Sequence, residues 1–480
     1  MKNAIVRVFC PVMLAPTLVV AAMSVQASAQ TENDVHESDE GRGHRGSTIF
    51  VDSYANPNGD GSADSPFQTI TLALQRAREI RAERPGRIIV RVAPGEYVEN
   101  YPLYLNISNL ELRGSTRLRE DDEGLPANCG TDSAPIPCVE PGTETLITPS
   151  VPLPLRQSLF IAGPTNDSQV DSLTNIFIRG FVFDGKGDNV TTTSGRSIFV
   201  DRTANFVIDH NVIQHGAPGL QTRLSSGRIH SNFTYDNLDG FAIFAGSEIY
   251  PARVELIANR GLNGSVNASM GAAALGSAST AQVVPNLKEM QTVFDPSLHP
   301  EQVPDKLLIV VIGNDFSGNM FGFRFQEYNT FYDTTDNQPL TANITATVHD
   351  NLCRNNAEYG FVVEGFSTTR SNPRKFTATF DGSFEDNDCT GTGRAGVFAG
   401  FLNNGVVTRN PGYIKANKYL QDSRFTLQID DESLSSGFDY DNPVIDPFDQ
   451  QTPLNNQLTM NGDELTGKHV TCPPSFPCVP

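Results

Sequence analysis

Tryptophan is absent from the 480 residues, and 35 lysines and arginines stand against 55 aspartates and glutamates. The formal net charge of −20 argues against nucleic acid or an anionic membrane as a partner, because both want a basic face. It also disfavours a polyanion unless a local basic strip or a bridging cation assists. No run beyond the first residues reaches the roughly 18 apolar residues of a membrane helix, so no transmembrane segment is expected. No C-x-x-C spacing occurs, which weakens any reading of the cysteines as metal ligands. Strong helix signals are few. Phenylalanine, at 29 residues, and glycine, at 40, are plentiful, and the balance points to an all-β chain.

The opening residues read as a signal peptide, 1–29. Lys2 and Arg7 give a positive start, "PVMLAPTLVVAAM" is the apolar stretch, and Ala27-Ser28-Ala29 fits a small-residue cleavage site. Export to the periplasm or the exterior follows, and Cys10 leaves with the signal. Residues 30–47 are polar, charged and glycine-rich, the composition of a disordered leader. Six cysteines then remain, an even number that suggests disulfides in an exported chain. The count leaves the pairing open. Nearness in sequence favours Cys129–Cys138, Cys353–Cys389 and Cys472–Cys478.

Order begins at "STIFVDSYANPNGDGSADSPF", a short strand followed by a loop dense in turn residues. In "TITLALQRAREIRAERPG" the residues Ile70, Leu72, Ala73, Leu74, Ala77 and Ile80 fall mostly on one helical face, and Pro85-Gly86 ends the pattern. Beyond it the sequence repeats. "FVIDHNVIQHGAPGLQTR", "GRIHSNFTYDNLDGFAIF", "IVVIGNDFSGNMFGFRFQ" and "ATVHDNLCRNNAEYGFVVE" share a form: a β run, a turn at Asn, a polar stretch, then Gly and a second alternating run. Asn211 to Asn232 spans 21 residues, as does Gly219 to Gly240. This is the pattern of a parallel β-helix, in which each coil packs only on its neighbours. The length is large for one compact domain, and a coiled array escapes that limit. Asn211, Asn232, Asn314 and Asn351 recur at one rung position, where side-chain amides can bond backbone or stack on the next rung. Residues 48–410 are assigned to the β-helix, with a loop insertion at about 261–305. Residues 411–480 are assigned to final strands and an irregular tail.

Val51-Asp52, Asn58-Gly59-Asp60-Gly61, Ser65-Pro66-Phe67, the helix and Ala93-Pro94-Gly95-x-Tyr97 together resemble the N-terminal signature of pectate-lyase-like right-handed parallel β-helix proteins. The likeness is to the bacterial subgroup whose leading domain has no assigned function. It covers about the first fifty ordered residues, and beyond it the match rests on rung periodicity. The resemblance implies that the helix caps the open N-terminal end of the coil. The superfamily holds lyases, hydrolases, epimerases, tailspikes and adhesins, so fold alone does not settle function.

Two catalytic patterns of such proteins are missing. Asn237-Leu238-Asp239-Gly240 resembles the first motif of the polygalacturonase-type hydrolases. However, no Asp-Asp pair with the right context follows it, and His215-Gly216 and Arg228-Ile229-His230 precede it. Tyr359-Gly360-Phe361 lacks the Asp-Pro-His-Asp of the uronate epimerases. The rungs give an independent candidate. Counting from the Gly that opens the second run, positions +1 and +3 point inward and +2 and +4 outward. One outward sheet then carries Arg223, Phe244, Arg324, Gln326, Glu364 and Phe398. Arg pairs with a sugar carboxylate and Phe packs on its ring. Substrate binding falls to Phe244, Gln326 and Phe398. A β-elimination needs a base and a cation beside the developing charge, for which Arg223, Arg324, Glu364 and His215 are the candidates, with His230 near in sequence. The ordinary alternative is a solvated face with ion pairs. Asp184-Gly-Lys-Gly-Asp188 is a candidate Ca²⁺ loop, although such loops are commonly plain turns. Two readings of function stand: a protein that binds, and by extension cleaves, an extracellular polysaccharide, or a non-catalytic surface or envelope scaffold. The failed motifs and the missing Trp favour the second.

Overall fold

A computed structural model describes residues 46–131, 134–154, 157–163, 173–186, 195–223, 225–238, 240–244, 253–263, 272–276, 307–319, 321–327, 340–357, 359–365, 376–385, 387–388, 395–400, 424–429, 438–441, 456–460 and 463–464. The signal, residues 30–45 of the leader, Cys10, Cys389, Cys472 and Cys478 lie outside the described residues, and Ser47, assigned to the leader, opens the first strand.

The chain winds as a right-handed parallel β-helix. Its strands fall into sheets of thirteen, ten and six strands, parallel throughout except for the last short pair. The first full coil shows the logic. Ile88–Val92 joins the thirteen-stranded sheet, Gly95–Glu99 the six-stranded sheet and Leu103–Leu105 the ten-stranded sheet. Ala93-Pro94 is therefore a corner between sheets. The following coils repeat this order as far as Ala272–Gly276, and from Leu307–Ile312 to Asn456–Met460 the strands alternate between the thirteen- and ten-stranded sheets. One inward column of the long sheet runs Val90, Leu112, Ile178, Ile208, Ile229, Leu256, Val311 and Val348, and each is fully buried. Burial of each such side chain contributes roughly 1.5–3 kcal/mol.

The N-terminal end is closed by helix α1, Ile70–Glu83. Ile70, Ala73, Leu74, Ala77 and Ile80 join the same core as Ile49, Val90 and Leu105. Leu72, expected on that face, is 37 % exposed. The side chain of Thr69 caps the helix by accepting the Leu72 N–H. Glu99, on the first coil, accepts the Ile70 N–H and the Thr71 hydroxyl, both at 2.6 Å. A carboxylate at this end also meets the positive pole of the helix. The Asn-Gly-Asp-Gly loop folds onto the first strand, Ser47–Val51, where the Phe50 N–H donates to Gly61 O. Gly61 has φ +83° and any Cβ there would fall 2.4 Å from the Phe67 ring, so this position requires glycine.

The asparagines form a ladder. Asn211, Asn232, Asn259, Asn314, Asn351 and Asn387 are all fully buried. Each of the first five donates its side-chain and backbone N–H groups to the Oδ1 of the next. Each amide also donates to a strand carbonyl of the preceding coil, from Ile178 to Val348. Asn259 and Asn387 extend the expected set.

Two boundaries differ from the sequence reading. The segment taken as an insertion from residue 261 contains most of Arg260–Leu262 and all of Ala272–Gly276, which join the six- and ten-stranded sheets. Ala-rich stretches lack the β-branched residues that advertise a strand. Winding also continues past residue 410, with Arg424–Ile429, Phe438–Asp441 and Asn456–Met460 adding to the sheets.

An excursion between Arg113 and Thr145 covers the six-stranded sheet. It pairs with itself at Leu118–Val139 and Asn128–Pro137, and is stapled by the Cys129–Cys138 disulfide. Leu118 and Val139 pack on Val182, Val212, Phe233 and Leu262. Arg260 fixes it from below, donating to Asp121 Oδ2 (2.9 Å), Pro126 O (2.7 Å) and Asp315 Oδ2 (2.9 Å). Cys353, fully buried, is also disulfide-bonded.

Candidate functional site

The ten-stranded sheet keeps the register that the rung glycines imply. Leu220, Phe241, Phe323, Phe361 and Val397 share one column, interrupted only by Ala272. Leu220, Thr222, Phe241 and Ile243 are buried, while Gln221 and Arg223 are half-buried. Arg324 and Phe398 fall on the column of Gln221, and Phe244, Gln326 and Glu364 on that of Arg223. All six expected residues thus occupy two columns of one sheet.

At the N-terminal part of these columns the side chains are closely engaged. Arg223 donates from Nε to Asp201 Oδ1 and from Nη2 to Asp201 Oδ2, both at 2.7 Å. Asp201 also accepts Arg202 Nε at 3.0 Å. Burial pushes the Asp201 carboxyl up, yet the two guanidinium groups more than offset this and hold it below the usual carboxylate range. Phe199 lies between two cations, with the Arg196 guanidinium 4.3 Å and the Arg223 guanidinium 5.4 Å from its ring centre. Arg196 also donates to Gln221 Oε1 at 3.1 Å. Sequence reasoning missed Arg196, Phe199 and Asp201, since Ser197 stands where the rung Gly would be and the glycine of this stretch, Gly195, falls two residues earlier.

His215 sits elsewhere, in the corner after Val212–Gln214 of the six-stranded sheet. Its Nδ1 meets Asp184 Oδ1 at 2.9 Å, which makes Nε2 the basic nitrogen of the neutral ring. Asp184 Oδ2 accepts Gln214 Nε2 at 3.0 Å, and Gln214 Oε1 accepts the Tyr235 hydroxyl. Burial and nearby carboxylates push the Tyr235 phenol up to about 12, so it serves as a proton donor and not as a base. Burial raises Asp184, but hydrogen bonds from His215 and the Lys186 N–H outweigh it and leave the carboxyl lowered. Both Asp184 oxygens are therefore engaged within the protein, and Asp188 of the candidate Ca²⁺ loop lies outside the described residues. A third cluster, Asp209, His210 and His230, sits at the end of the long-sheet strands.

Asp184, Asp201 and Asp209 are all held below their ordinary value of 3.8. A depressed folded value means the carboxylates stabilise the fold fully above that ordinary value, and the stabilisation is lost as pH falls through the folded values. The urea midpoint is expected to stay flat from neutral pH down to mild acid on their account and then to fall. Unfolding curves at a series of pH values measure this.

The family profile described as "Protein of unknown function (DUF1565)" matches residues 54–302, from the capping loop through the first coils. The chain belongs to this family. No relative is found among curated proteins. Similar solved structures include the mannuronan C-5 epimerase AlgE4 A-module of Azotobacter vinelandii, at 14 % identity and TM-score 0.39, covering 86 % of this chain and 98 % of that one. They also include an exopolygalacturonase from Thermotoga maritima, at 12 % identity and TM-score 0.43, covering 88 % and 94 %. A third is PfbA, a surface adhesin of Streptococcus pneumoniae, at 11 % identity and TM-score 0.38, covering 85 % and 90 %. No activity is carried over from any of them. Among the described residues no helix is long and apolar enough to cross a membrane.

Proposed function

We propose that this family member is exported by residues 1–29 and binds an extracellular polysaccharide along its ten-stranded sheet. The observation that supports this most is Phe199 flanked by Arg196 and Arg223 on the column that continues to Arg324 and Phe398. Phe199 itself is only 8 % exposed, so packing of an aromatic face on a sugar ring falls to Phe244 and Phe398 in the same two columns, while guanidinium groups pair with the sugar's carboxylates. Because Arg223 is committed to Asp201, recognition of an acidic sugar passes to Arg324, with Gln326, Glu364, Phe244 and Phe398 around it in register. A lyase or hydrolase step would place Arg324 beside the developing charge and Glu364 as the proton-transfer group.

A second reading is favoured by the Asp201–Arg223 pair itself. A bidentate pair of a half-buried arginine with a buried carboxylate on this face is what a non-catalytic scaffold would carry. A panel of acidic and neutral polysaccharides separates the two, read by ultraviolet absorbance of unsaturated ends, reducing-sugar release and retention on glycan arrays. Arg324→Ala and Glu364→Ala are expected to lose retention while keeping the wild-type urea midpoint. Retention unchanged in both removes the binding reading, and silence of the wild type in all three assays favours the scaffold.

A further inference from the structure

We propose that Asp209, His210 and His230 form a binding site for a zinc-class divalent metal ion, on the long sheet and apart from the polysaccharide face. Winding brings them together. Asp209 closes the strand Thr203–Asp209, His230 closes the strand Ser226–His230, and the two are paired in register. His210 occupies the corner that follows Asp209. One ligand atom from each residue lies within 4.8 Å of the others. His210 Nδ1 is 2.9 Å and His230 Nε2 4.0 Å from the same oxygen, Asp209 Oδ2. The two rings stand edge to face, with centres 5.8 Å apart.

The donor set selects the metal. Two imidazoles and one carboxylate suit Zn²⁺ and its neighbours, whereas Ca²⁺ takes oxygen ligands. The ion would replace the proton shared by His210 Nδ1 and Asp209. His210 Nε2 then carries the proton and faces Glu120 Oε1 of the stapled excursion at 3.8 Å, the carboxylate–histidine–metal arrangement of many sites. Arg179 donates to Asp209 Oδ2 from Nη2 at 2.5 Å and from Nε at 3.1 Å, and from Nε to Oδ1 at 3.3 Å, so metal binding at Oδ2 requires the guanidinium to shift its hold to Oδ1. With three protein ligands and both rings partly exposed, the remaining coordination position opens to water.

Neither imidazole is needed to balance the buried charge, because Arg179 already does so. The corner does not demand histidine either. Gly180, Ser231, Ala258 and Gly313 take the same left-handed backbone at the equivalent place in other coils, with φ between 52° and 75°.

The test uses tag-free full-length protein carrying His36→Ala and His44→Ala, which removes the histidines of the leader. After chelator treatment and dialysis it is titrated with ZnCl₂ by calorimetry, and with CoCl₂ by visible absorption. One ion per chain is expected, with the absorption of four- or five-coordinate cobalt, a raised unfolding temperature, and no displacement by CaCl₂. His210→Ala and His230→Ala, each at a partly exposed position, lose this binding, and Glu120→Gln weakens it. No binding in the parent protein overturns the proposal. So does binding of unchanged stoichiometry and affinity in both histidine variants.

Discussion

Asn259→Ala is expected to lower the stability of the fold by about 4 kcal/mol, since each buried polar group left unpaired costs roughly 1–3 kcal/mol. Asn259 stands inside the ladder and is fully buried. Its Oδ1 accepts the backbone N–H of Asn232 at 3.1 Å and the side-chain N–H of Asn232 at 3.0 Å. Its amide donates to Ile229 O and to Asn314 Oδ1, both at 2.9 Å. Alanine removes all four bonds where water cannot replace them. A second row of asparagines supplies the control. Asn205 donates to Asn175 Oδ1 at 2.5 Å, but in solvent. Both have positive φ, 54° and 59°, so Asn205→Gly keeps the backbone and removes only the exposed bond. Its cost is expected at about 1 kcal/mol or less. Urea unfolding of the two variants beside wild type measures the contrast. Equal losses would mean that burial does not set the value of these amides.

Arg260→Met is expected to cost about 3–5 kcal/mol, the range for breaking a buried ion pair by removing one partner. The arginine is 7 % exposed and Asp315 is 8 % exposed. Methionine fills much of the volume but leaves the Asp315 carboxylate and the Pro126 carbonyl without their donor. The double variant Arg260→Met with Asp315→Leu should recover a large part of the loss, because the stranded charge is gone. Limited proteolysis followed by reduction reads the same event locally. Cleavage within 117–140 is expected to quicken in the single variant. The excursion stays partly seated, since Leu118 and Val139 still pack on Val212 and Phe233.

The legible features were those carried by a period. The rung glycines and the alternation after them placed Phe241, Phe323, Phe361 and Val397 in one column, whereas Ala-Pro-Gly at 93–95, part of the N-terminal signature, proves to fall at a corner between sheets. The strand Ala272–Gly276 escaped because small residues carry no alternation. Asp209, His210 and His230 were present in the same 21-residue spacing that aligned Asn211 with Asn232. Laying the whole rung out residue by residue would have stacked Asp209 on His230. Arg260 with Asp121 had no such signal. Their separation of 139 residues follows no repeat, and the excursion that carries Asp121 has its own local geometry. The commitment of Arg223 to Asp201 was also hidden. The two are on adjacent strands, but alternation says only that both face outward, not that they pair.

The anchoring of the excursion has a consequence for the order of events. It leaves the winding chain before Thr145, yet Arg260 and Asp315 belong to coils made much later. Its contacts with Arg260 span 134 and 139 residues, so they cannot form on a nascent chain until several turns have been laid down. Chains are made from the N-terminus, and incompletely folded species expose apolar surface. Until the Arg260 coil is wound, Val182, Val212 and Phe233 have their cover without its clamp. The clamping of the excursion is thus a late kinetic event. It marks when enough of the polypeptide has emerged and wound for this flank to be shut.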